Sequence, residues 1–262
     1  MDHKLMISSS SNSKIKYIGR LQESRKFRYQ EMAFVVEGTR WISEVVKAGI
    51  RPKILLATSS WLRESKNLKI QEQLPFSPIE VNEQIMAQIS DTTTPPGILA
   101  VIPMLKQPLP SKATLILILD RISDPGNLGT IMRTAVAAGV GGLLLSPGCV
   151  DAYNPKVVRS GMGAHLYIAM LNVQWPEIAA RVDGLEVRLA SARGKMPYYL
   201  ADWRRPSALI IGSEAIGPGL EARDLATEEI MIPMSNESES LNAAIATGVI
   251  IFEAIRQRDL AG

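Results

Sequence analysis

The chain has 262 residues, 46% of them hydrophobic and 21% charged, and a net charge of +3, which is typical of a soluble globular protein with one or two domains. A single cysteine, Cys149, excludes an internal disulfide framework, and with His3 and His165 it supplies too few ligands for a zinc cluster. The first residues lack the apolar core of a secretory signal, and no apolar run approaches membrane-spanning length. We therefore expect a cytoplasmic protein that neither enters a membrane nor binds a metal.

Positive charge is concentrated in the first part of the chain. Residues 1–108 hold 15 Lys and Arg against 10 Asp and Glu, whereas residues 109–262 hold 14 against 16. The charge is densest in a short run where six basic residues face only Glu23: Lys14, Lys16, Arg20, Arg25, Lys26 and Arg28. This distribution predicts that the first part binds a polyanion and the second carries the chemistry. A solvated helix face that happens to be basic is the alternative.

Three prolines in residues 103–111 predict a break between two domains, residues 1–106 and 107–262. In the first domain, Ile15, Ile18 and Leu21 recur at helical spacing. Short apolar runs predict strands at residues 34–36, 54–57 and 98–102, and two further segments predict helices at residues 38–49 and 82–89. This alternation predicts a compact α/β sandwich.

The second domain opens with a continuous apolar run at residues 115–119, which is typical of a strand buried on both faces of a parallel sheet. Further strands are predicted at residues 143–145, 209–211 and 229–233. Helices are predicted at residues 127–138 and 240–256, the second with Ser240 as its N-cap. Alternating strands and helices predict a parallel sheet with helices on both faces.

Three segments place polar residues and glycines directly after apolar runs. Ligands bind at this edge of an open α/β sheet, so the segments predict one composite pocket. In the first segment a turn delivers Asn127 to a helix start, where its side chain can cap the helix, and Arg133 follows where it can bind a phosphate. Taken alone, the two residues could also be an ordinary cap and a surface cation.

The second segment contains Gly212, Glu214 and Gly217. The glycines permit close approach of the backbone to a ligand, while Glu214 could bond ribose hydroxyls or orient Arg133. The segment lacks the lysine of a phosphate-binding loop and is not a dinucleotide-binding fingerprint. In the third segment, Ser240 and Asn242 offer polar groups near the positive end of a helix, although capping alone would explain them.

Together the segments resemble the three motifs of the SPOUT superfamily, and more narrowly those of the SpoU/TrmH-type RNA ribose 2′-O-methyltransferases. The first motif matches at Asn127, Gly129 and Arg133. The second matches at Gly212, Glu214, Gly217 and Gly219. The third matches at Ile232, Pro233, Met234, Ser240, Leu241 and Asn242. Residues 160–164 also resemble the small-residue segment between the first two motifs, and the resemblance spans about residues 112–258.

The first domain resembles the N-terminal substrate domain of the same family, an α/β sandwich related to kink-turn-binding ribosomal proteins. Its cues are residues 13–16, the basic helix, and residues 34–40, which contain Val36, Glu37 and Gly38. This resemblance implies that RNA is the polyanion, contacted by the six basic residues between Lys14 and Arg28.

The resemblance implies S-adenosylmethionine as cofactor, a deep trefoil knot in the second domain, and a homodimer. The implied cofactor-binding residues are Ile211, Gly212, Gly217, Ile232, Met234, Leu241 and Ala243. Arg133 is the implied catalytic residue, acting with Asn127, Glu214, Ser240 and Asn242. Because arginine stays protonated, we expect Arg133 to bind phosphate and stabilise charge on the ribose 2′-oxygen rather than to accept its proton.

Among RNA substrates, a complete N-terminal domain favours large-subunit ribosomal RNA of the 23S type over tRNA. A non-catalytic RNA-binding or ribosome-assembly protein on the same scaffold is the alternative from another class. The presence of every polar motif residue argues against it. A dinucleotide-dependent enzyme is disfavoured because the fingerprint is missing.

Overall fold

A computed structural model describes residues 6–214, 216–235 and 240–260. The chain forms two compact units. The first runs to Leu105 and also includes Asp151–Leu166, and the second comprises Lys106–Val150 and the residues from Tyr167 onward. Within the described residues, no helix combines the length and apolarity that a membrane span requires.

The first unit is built on a four-stranded mixed sheet. Its strands are β1 (Ala33–Glu37), β2 (Ile54–Thr58), β3 (Ile79–Val81) and β4 (Ile98–Pro103). They lie in the order β1-β4-β2-β3, with β4 antiparallel to both of its neighbours and β3 parallel to β2. The strand prediction missed only β3 among these, because three residues are too short to show a period.

Helices cover both faces of this sheet. They are α1 (Ser13–Glu23), α2 (Arg25–Glu31), α3 (Thr39–Lys47), α4 (Ser59–Arg63), α5 (Leu68–Gln73) and α6 (Glu83–Ile89). Because side chains alternate along a strand, Val35 faces the cluster formed with Ile18 and Leu21 of α1, while Phe34 and Trp41 belong to the cluster on the opposite face. The predicted sandwich and the buried stripe of the first helix are confirmed.

The segment Asp151–Leu166 packs within the first unit, although the predicted domain boundary placed it in the second. Arg28 Nη2 lies 2.5 Å from Asp151 Oδ2, and both side chains are buried. Trp41 donates from Nε1 to the carbonyl of Val158 at 3.1 Å. His165 is buried near the Trp41 ring, and burial lowers its pKa to about 4, so the imidazole is neutral at physiological pH.

The prediction that Arg28 contacts RNA is therefore wrong. Its side chain is only 4% exposed and its guanidinium is fully engaged, with Asp151 on one side and the carbonyls of Leu21 and Gln22 on the other. A buried guanidinium with these partners cannot reach a phosphate. The other five basic residues of the run are exposed: Lys14, Lys16, Arg20, Arg25 and Lys26.

The second unit contains a seven-stranded sheet in which every strand pair is parallel. Its strands are β5 (Leu115–Asp120), β6 (Gly142–Leu145), β7 (Met170–Asn172), β8 (Glu186–Ala190), β9 (Met196–Pro197), β10 (Ser207–Gly212) and β11 (Glu228–Met231). They lie in the order β7-β6-β5-β10-β8-β11-β9. The central strands β5 and β10 are almost continuously apolar and buried, as predicted for a sheet covered on both faces.

Three helices of this unit bear on the site: α7 (Pro125–Ala137), α10 (Leu220–Leu225) and α11 (Ala243–Asp259). The remaining helices are α8 (Pro155–Gly161), which lies in the first unit, and α9 (Trp175–Arg181). The helices α7 and α11 pack against each other.

Both predicted helix caps in this unit are wrong. Asp124, not Asn127, caps α7 by accepting from Asn127 N at 2.7 Å. Asn242, not Ser240, caps α11 by accepting from Ala244 N at 3.0 Å and Ile245 N at 3.2 Å. Each helix therefore begins a few residues from its predicted start, and the two asparagines gain different roles.

Candidate functional site

A pocket of about 680 Å³ opens at the carboxyl ends of β8, β10 and β11. Its walls come from the loops that follow these strands and from the start of α11. All seven residues predicted to bind a cofactor line it: Ile211, Gly212, Gly217, Ile232, Met234, Leu241 and Ala243. The second and third sequence motifs thus converge on one cavity, at the sheet edge where ligands bind in open α/β folds.

The glycine-rich loop after β10 folds tightly back on itself. Gly217 N donates to Ser213 O at 2.8 Å, and Gly217 has a φ of +66°, which favours glycine. A Cβ atom on Gly212 would lie 2.7 Å from the nitrogen of Pro218. A side chain at position 212 would therefore push the loop out of place and change the wall of the pocket.

Asp120, which ends β5, and the next residue, Arg121, hold this loop in place through hydrogen bonds. Asp120, which is buried, accepts from Gly219 N at 2.7 Å and from the hydroxyl of Ser146 at 3.1 Å. Arg121 donates from Nη2 to Gly217 O at 3.2 Å and has a positive φ of 56°. Sequence reasoning missed both Asp120 and Arg121. The sequence signal that could have identified Asp120 is a carboxylate at the end of a strand whose other residues are apolar and buried.

Glu214 joins the three motifs. Its Oε1 accepts from Asn127 Nδ2 at 2.6 Å, from Asn242 Nδ2 at 2.9 Å and from Ala243 N at 2.8 Å. Asn242 Nδ2 also donates to Asn127 Oδ1 at 2.9 Å. The capping role of Asn242 fixes its amide orientation, because its oxygen faces α11 and its nitrogen must then face Glu214. The expectation that Glu214 orients Arg133 is not met, since its bonds go to the two asparagines and to the main chain of Ala243.

Arg133 lies on α7 with an exposed side chain. It forms no hydrogen bond or ion pair with any residue that the structure describes. Its guanidinium therefore keeps all its donors for an external anion such as a phosphate. Ser240 is exposed and lies in the wall of the pocket, whereas Arg133, Asn127 and Asn242 are not among its lining residues.

The pocket offers aliphatic side chains, main chain and two cations to a ligand. Ile211, Ile230 and Ile250 supply apolar surface. Arg223 is paired with Glu229 at 2.8 Å, while Arg193 is exposed at the rim. Among the described residues there is no cluster of His, Cys, Asp and Glu that could hold a metal ion. The site is thus suited to an organic ligand with a flat apolar part and a charged end.

Comparison with protein families matches both parts of the chain. A model of the SpoU rRNA Methylase family matches residues 114–252, and a model of the MRM3-like substrate binding domain matches residues 12–100. The chain belongs to the SpoU methylase family. The family resemblance of the three motifs is therefore confirmed.

Relatives within the SpoU family cover nearly the whole chain. An uncharacterised tRNA/rRNA methyltransferase of Synechocystis is 33% identical over 96% of this chain and 94% of its own. The 23S rRNA (guanosine(2553)-2′-O)-methyltransferase of Bacillus subtilis is 29% identical over 94% of this chain and 97% of its own. The crystal structure of the SpoU methyltransferase AviRb from Streptomyces viridochromogenes with AdoMet is 27% identical and has a TM-score of 0.86, covering 95% of this chain and 98% of that one. This likeness confirms the α/β fold with a parallel-sheet domain of the SPOUT type.

Proposed function

We propose that this SpoU-family protein transfers a methyl group from S-adenosylmethionine to a ribose 2′-hydroxyl of large-subunit ribosomal RNA. The observation that carries the proposal is the convergence of all seven expected cofactor residues on one cavity, joined through Glu214 to the helix of Arg133. Family membership and relatives that act on 23S rRNA support the choice of reaction and substrate.

The cavity fits the cofactor in size and chemistry. Its volume of about 680 Å³ is within the range of roughly 300–1,000 Å³ typical of small-molecule sites. We expect the main chain at Gly212, Ile232 and Leu241 to hold the cofactor, with isoleucine side chains against its flat ring. The glycine at position 212 keeps this wall clear of side-chain atoms. When bound, S-adenosylmethionine supplies an electrophilic methyl group on a sulfonium.

Arg133 binds the RNA phosphate and stabilises the negative charge that develops on the attacking 2′-oxygen. A guanidinium with no protein partner among the described residues can form two parallel bonds to a phosphate or share its donors between phosphate and ribose. It does not take the proton, because an arginine side chain remains protonated in proteins. Its contribution is therefore electrostatic and positional.

Asn127, Glu214 and Asn242 are positioning residues in this proposal. Their mutual hydrogen bonds tie the first turn of α7, which leads to Arg133, to the first residue of α11. A fixed angle between these helix starts holds the Arg133 guanidinium at a constant position relative to the pocket wall. Such positioning of reacting groups has a strong effect on rate. Ser240 lies in the pocket wall, where its hydroxyl can contact cofactor or ribose.

The first unit supplies RNA affinity. Lys14 and Lys16 on α1, and Arg25 and Lys26 on α2, present exposed cations within two adjacent helices. Each phosphate neutralised by such a side chain contributes to binding and to its salt dependence. We also propose that the domain boundary lies between residues 106 and 107. We propose a cytoplasmic location as well, because ribosomal RNA is found there.

We further propose that the protein forms a homodimer. Ile245, Val249 and Phe252 recur at helical spacing along α11, and Phe252 remains 49% exposed. An apolar stripe of this kind on a helix beside the site is typical of a subunit interface. The deep knot expected from the family stays a prediction.

Two measurements test the proposed reaction. Calorimetry should show that S-adenosylmethionine binds the purified protein, and a labelled methyl group should then pass to isolated 23S rRNA and not to total tRNA. Arg133→Ala should abolish transfer and leave cofactor affinity within a few-fold. Cofactor binding without transfer to any RNA would point to the non-catalytic alternative, and transfer to tRNA alone would correct the substrate.

A further inference from the structure

A second pocket lies wholly within the first unit. Its volume is about 230 Å³, and its lining includes Pro155, Val158 and Met162 together with residues of β1 and α3. This is smaller than the roughly 300–1,000 Å³ of sites that hold drug-sized ligands. It suits one flat ring rather than a whole nucleotide chain.

The walls of this pocket combine apolar side chains with polar and charged ones. Val35, Trp41 and Pro96 contribute apolar surface, and Glu37 at the end of β1 also lines the pocket. Glu37 Oε2 accepts from the hydroxyl of Ser90 at 2.7 Å, whereas Oε1 is buried and has no hydrogen-bond partner among the described residues. A buried acceptor without a protein partner costs free energy, which a donor from a ligand or from water would offset.

The charged groups around Glu37 leave that acceptor open. Asp91 is paired with Arg159 at the rim, so the Arg159 charge is already balanced. Burial raises the pKa of Glu37 and the charge of Asp91 adds to the shift, whereas the Ser90 hydroxyl, the main-chain N–H of Asp91 and Arg159 oppose it. Arg40, also at the rim, is exposed and forms no ion pair with any described residue. The pocket thus joins a buried acceptor to a free cation at its entrance.

We propose that this pocket binds one unstacked guanine base of the RNA, with Glu37 accepting hydrogen bonds from the base edge and Arg40 contacting an adjacent phosphate. Guanine presents two neighbouring donors, N1–H and N2–H, to a single carboxylate, whereas adenine, cytosine and uracil each offer one donor group on that edge. Apolar walls around the ring replace the stacking that the base loses on leaving its helix. The inference rests on the proposed function, because it takes RNA as the substrate.

The test compares short oligouridines that carry one central guanosine, inosine or adenosine, bound to the full-length protein and followed by fluorescence anisotropy. Inosine keeps N1–H and lacks the amino group. We expect the guanosine oligomer to bind the wild type roughly tenfold more tightly than the adenosine oligomer, with inosine between them. Glu37→Gln should remove this discrimination, since its amide replaces one acceptor with a donor.

Two further variants keep the test decisive. Thr94→Trp changes an exposed residue of the pocket wall, so it should fold normally while blocking entry, and it should also lose the guanosine preference. Glu72→Gln, an exposed carboxylate outside the pocket, should behave as wild type. Equal affinity of the wild type for all three oligomers, or an unchanged preference in Glu37→Gln and Thr94→Trp, would overturn the inference.

Methyl transfer to 23S rRNA by the wild type is measured in parallel. If transfer occurs but guanosine discrimination is absent, the base pocket is wrong and the enzyme assignment stands. If no RNA is methylated, the proposed function itself fails, whatever the oligomers show.

Discussion

Removal of the Glu214 carboxylate tests whether the network that joins the three motifs is catalytic or merely structural. Glu214→Ala deletes three hydrogen bonds to one ionised oxygen, at 2.6, 2.9 and 2.8 Å. Bonds to charged groups contribute about 1.5–3 kcal/mol each when desolvated. Glu214 is exposed, however, so water can replace most of that interaction. We expect the free energy of unfolding to fall by no more than about 2 kcal/mol.

The expected loss in rate is much larger than the loss in stability. Without Glu214 only the bond from Asn242 Nδ2 to Asn127 Oδ1 still ties the first turn of α7 to the start of α11. A resulting displacement of about 1 Å at Arg133 would lower the rate about 100-fold. Cofactor affinity should fall only a few-fold, because Ala243 N loses its acceptor while the rest of the pocket wall remains. Glu214→Gln, which keeps one oxygen but not the charge, should lie between wild type and Glu214→Ala.

The assay is single-turnover methyl transfer from labelled S-adenosylmethionine to 23S rRNA, together with calorimetry for the cofactor and thermal unfolding. Glu221→Ala provides a matched control, because Glu221 is an exposed carboxylate on the neighbouring helix α10. A single-turnover rate within twofold of wild type for Glu214→Ala, accompanied by the expected loss of stability, would show that the network has no part in positioning.

Three further predictions follow from local geometry. Gly212→Ala should lower cofactor affinity by more than about tenfold, because the new Cβ meets Pro218 N at 2.7 Å, whereas Gly19→Ala meets nothing within 4 Å and should bind normally; equal affinities in calorimetry would refute the close approach. Phe252→Lys should convert the proposed homodimer to a monomer, as measured by light scattering, and the exposed control Leu220→Lys should not; a dimeric Phe252→Lys would place the interface elsewhere. The pKa of Glu37 in the folded protein is raised above 4.5. Its ionisation therefore destabilises the folded protein when the pH is above the raised pKa, and has no such effect when the pH is below 4.5. Glu37→Gln should therefore raise the melting temperature at neutral pH and lose that advantage as pH falls, and a gain independent of pH would contradict it.

The convergence of the motifs could be predicted from the sequence because it follows from strand polarity. Gly212 ends the apolar strand β10 and Ile232 follows β11, and parallel strands place their carboxyl ends at one edge of a sheet. The same logic could not identify the caps with certainty, since Asp, Asn and Ser all cap helices well. At α7 a usable signal existed, because Pro125 favours the first helical position and so marks Asp124 as the cap.

The remaining errors concern contacts between residues far apart in the chain. In the sequence, Arg28 cannot be told apart from the other five cations of the basic run. It is buried because it pairs with Asp151, which lies 123 residues away in the chain. The packing of Asp151–Leu166 with the first unit leaves no periodic pattern, because the segment is short and its apolar residues suit either unit. Glu214 was identified as a site residue, but its role as the link between Asn127 and Asn242 depends on the meeting of three loops, which spacing does not encode.

Site-by-site mapping of ribose methylation in 23S rRNA shows whether the protein methylates a ribose 2′-hydroxyl of this RNA in the cell. RNA from cells with the gene, without it, and complemented by wild type or by Arg133→Ala would be compared. We expect one nucleotide whose 2′-O-methylation disappears with the gene, returns with the wild-type protein and does not return with Arg133→Ala. A methylation map identical in all four strains, from cells shown to produce the protein, would contradict this expectation.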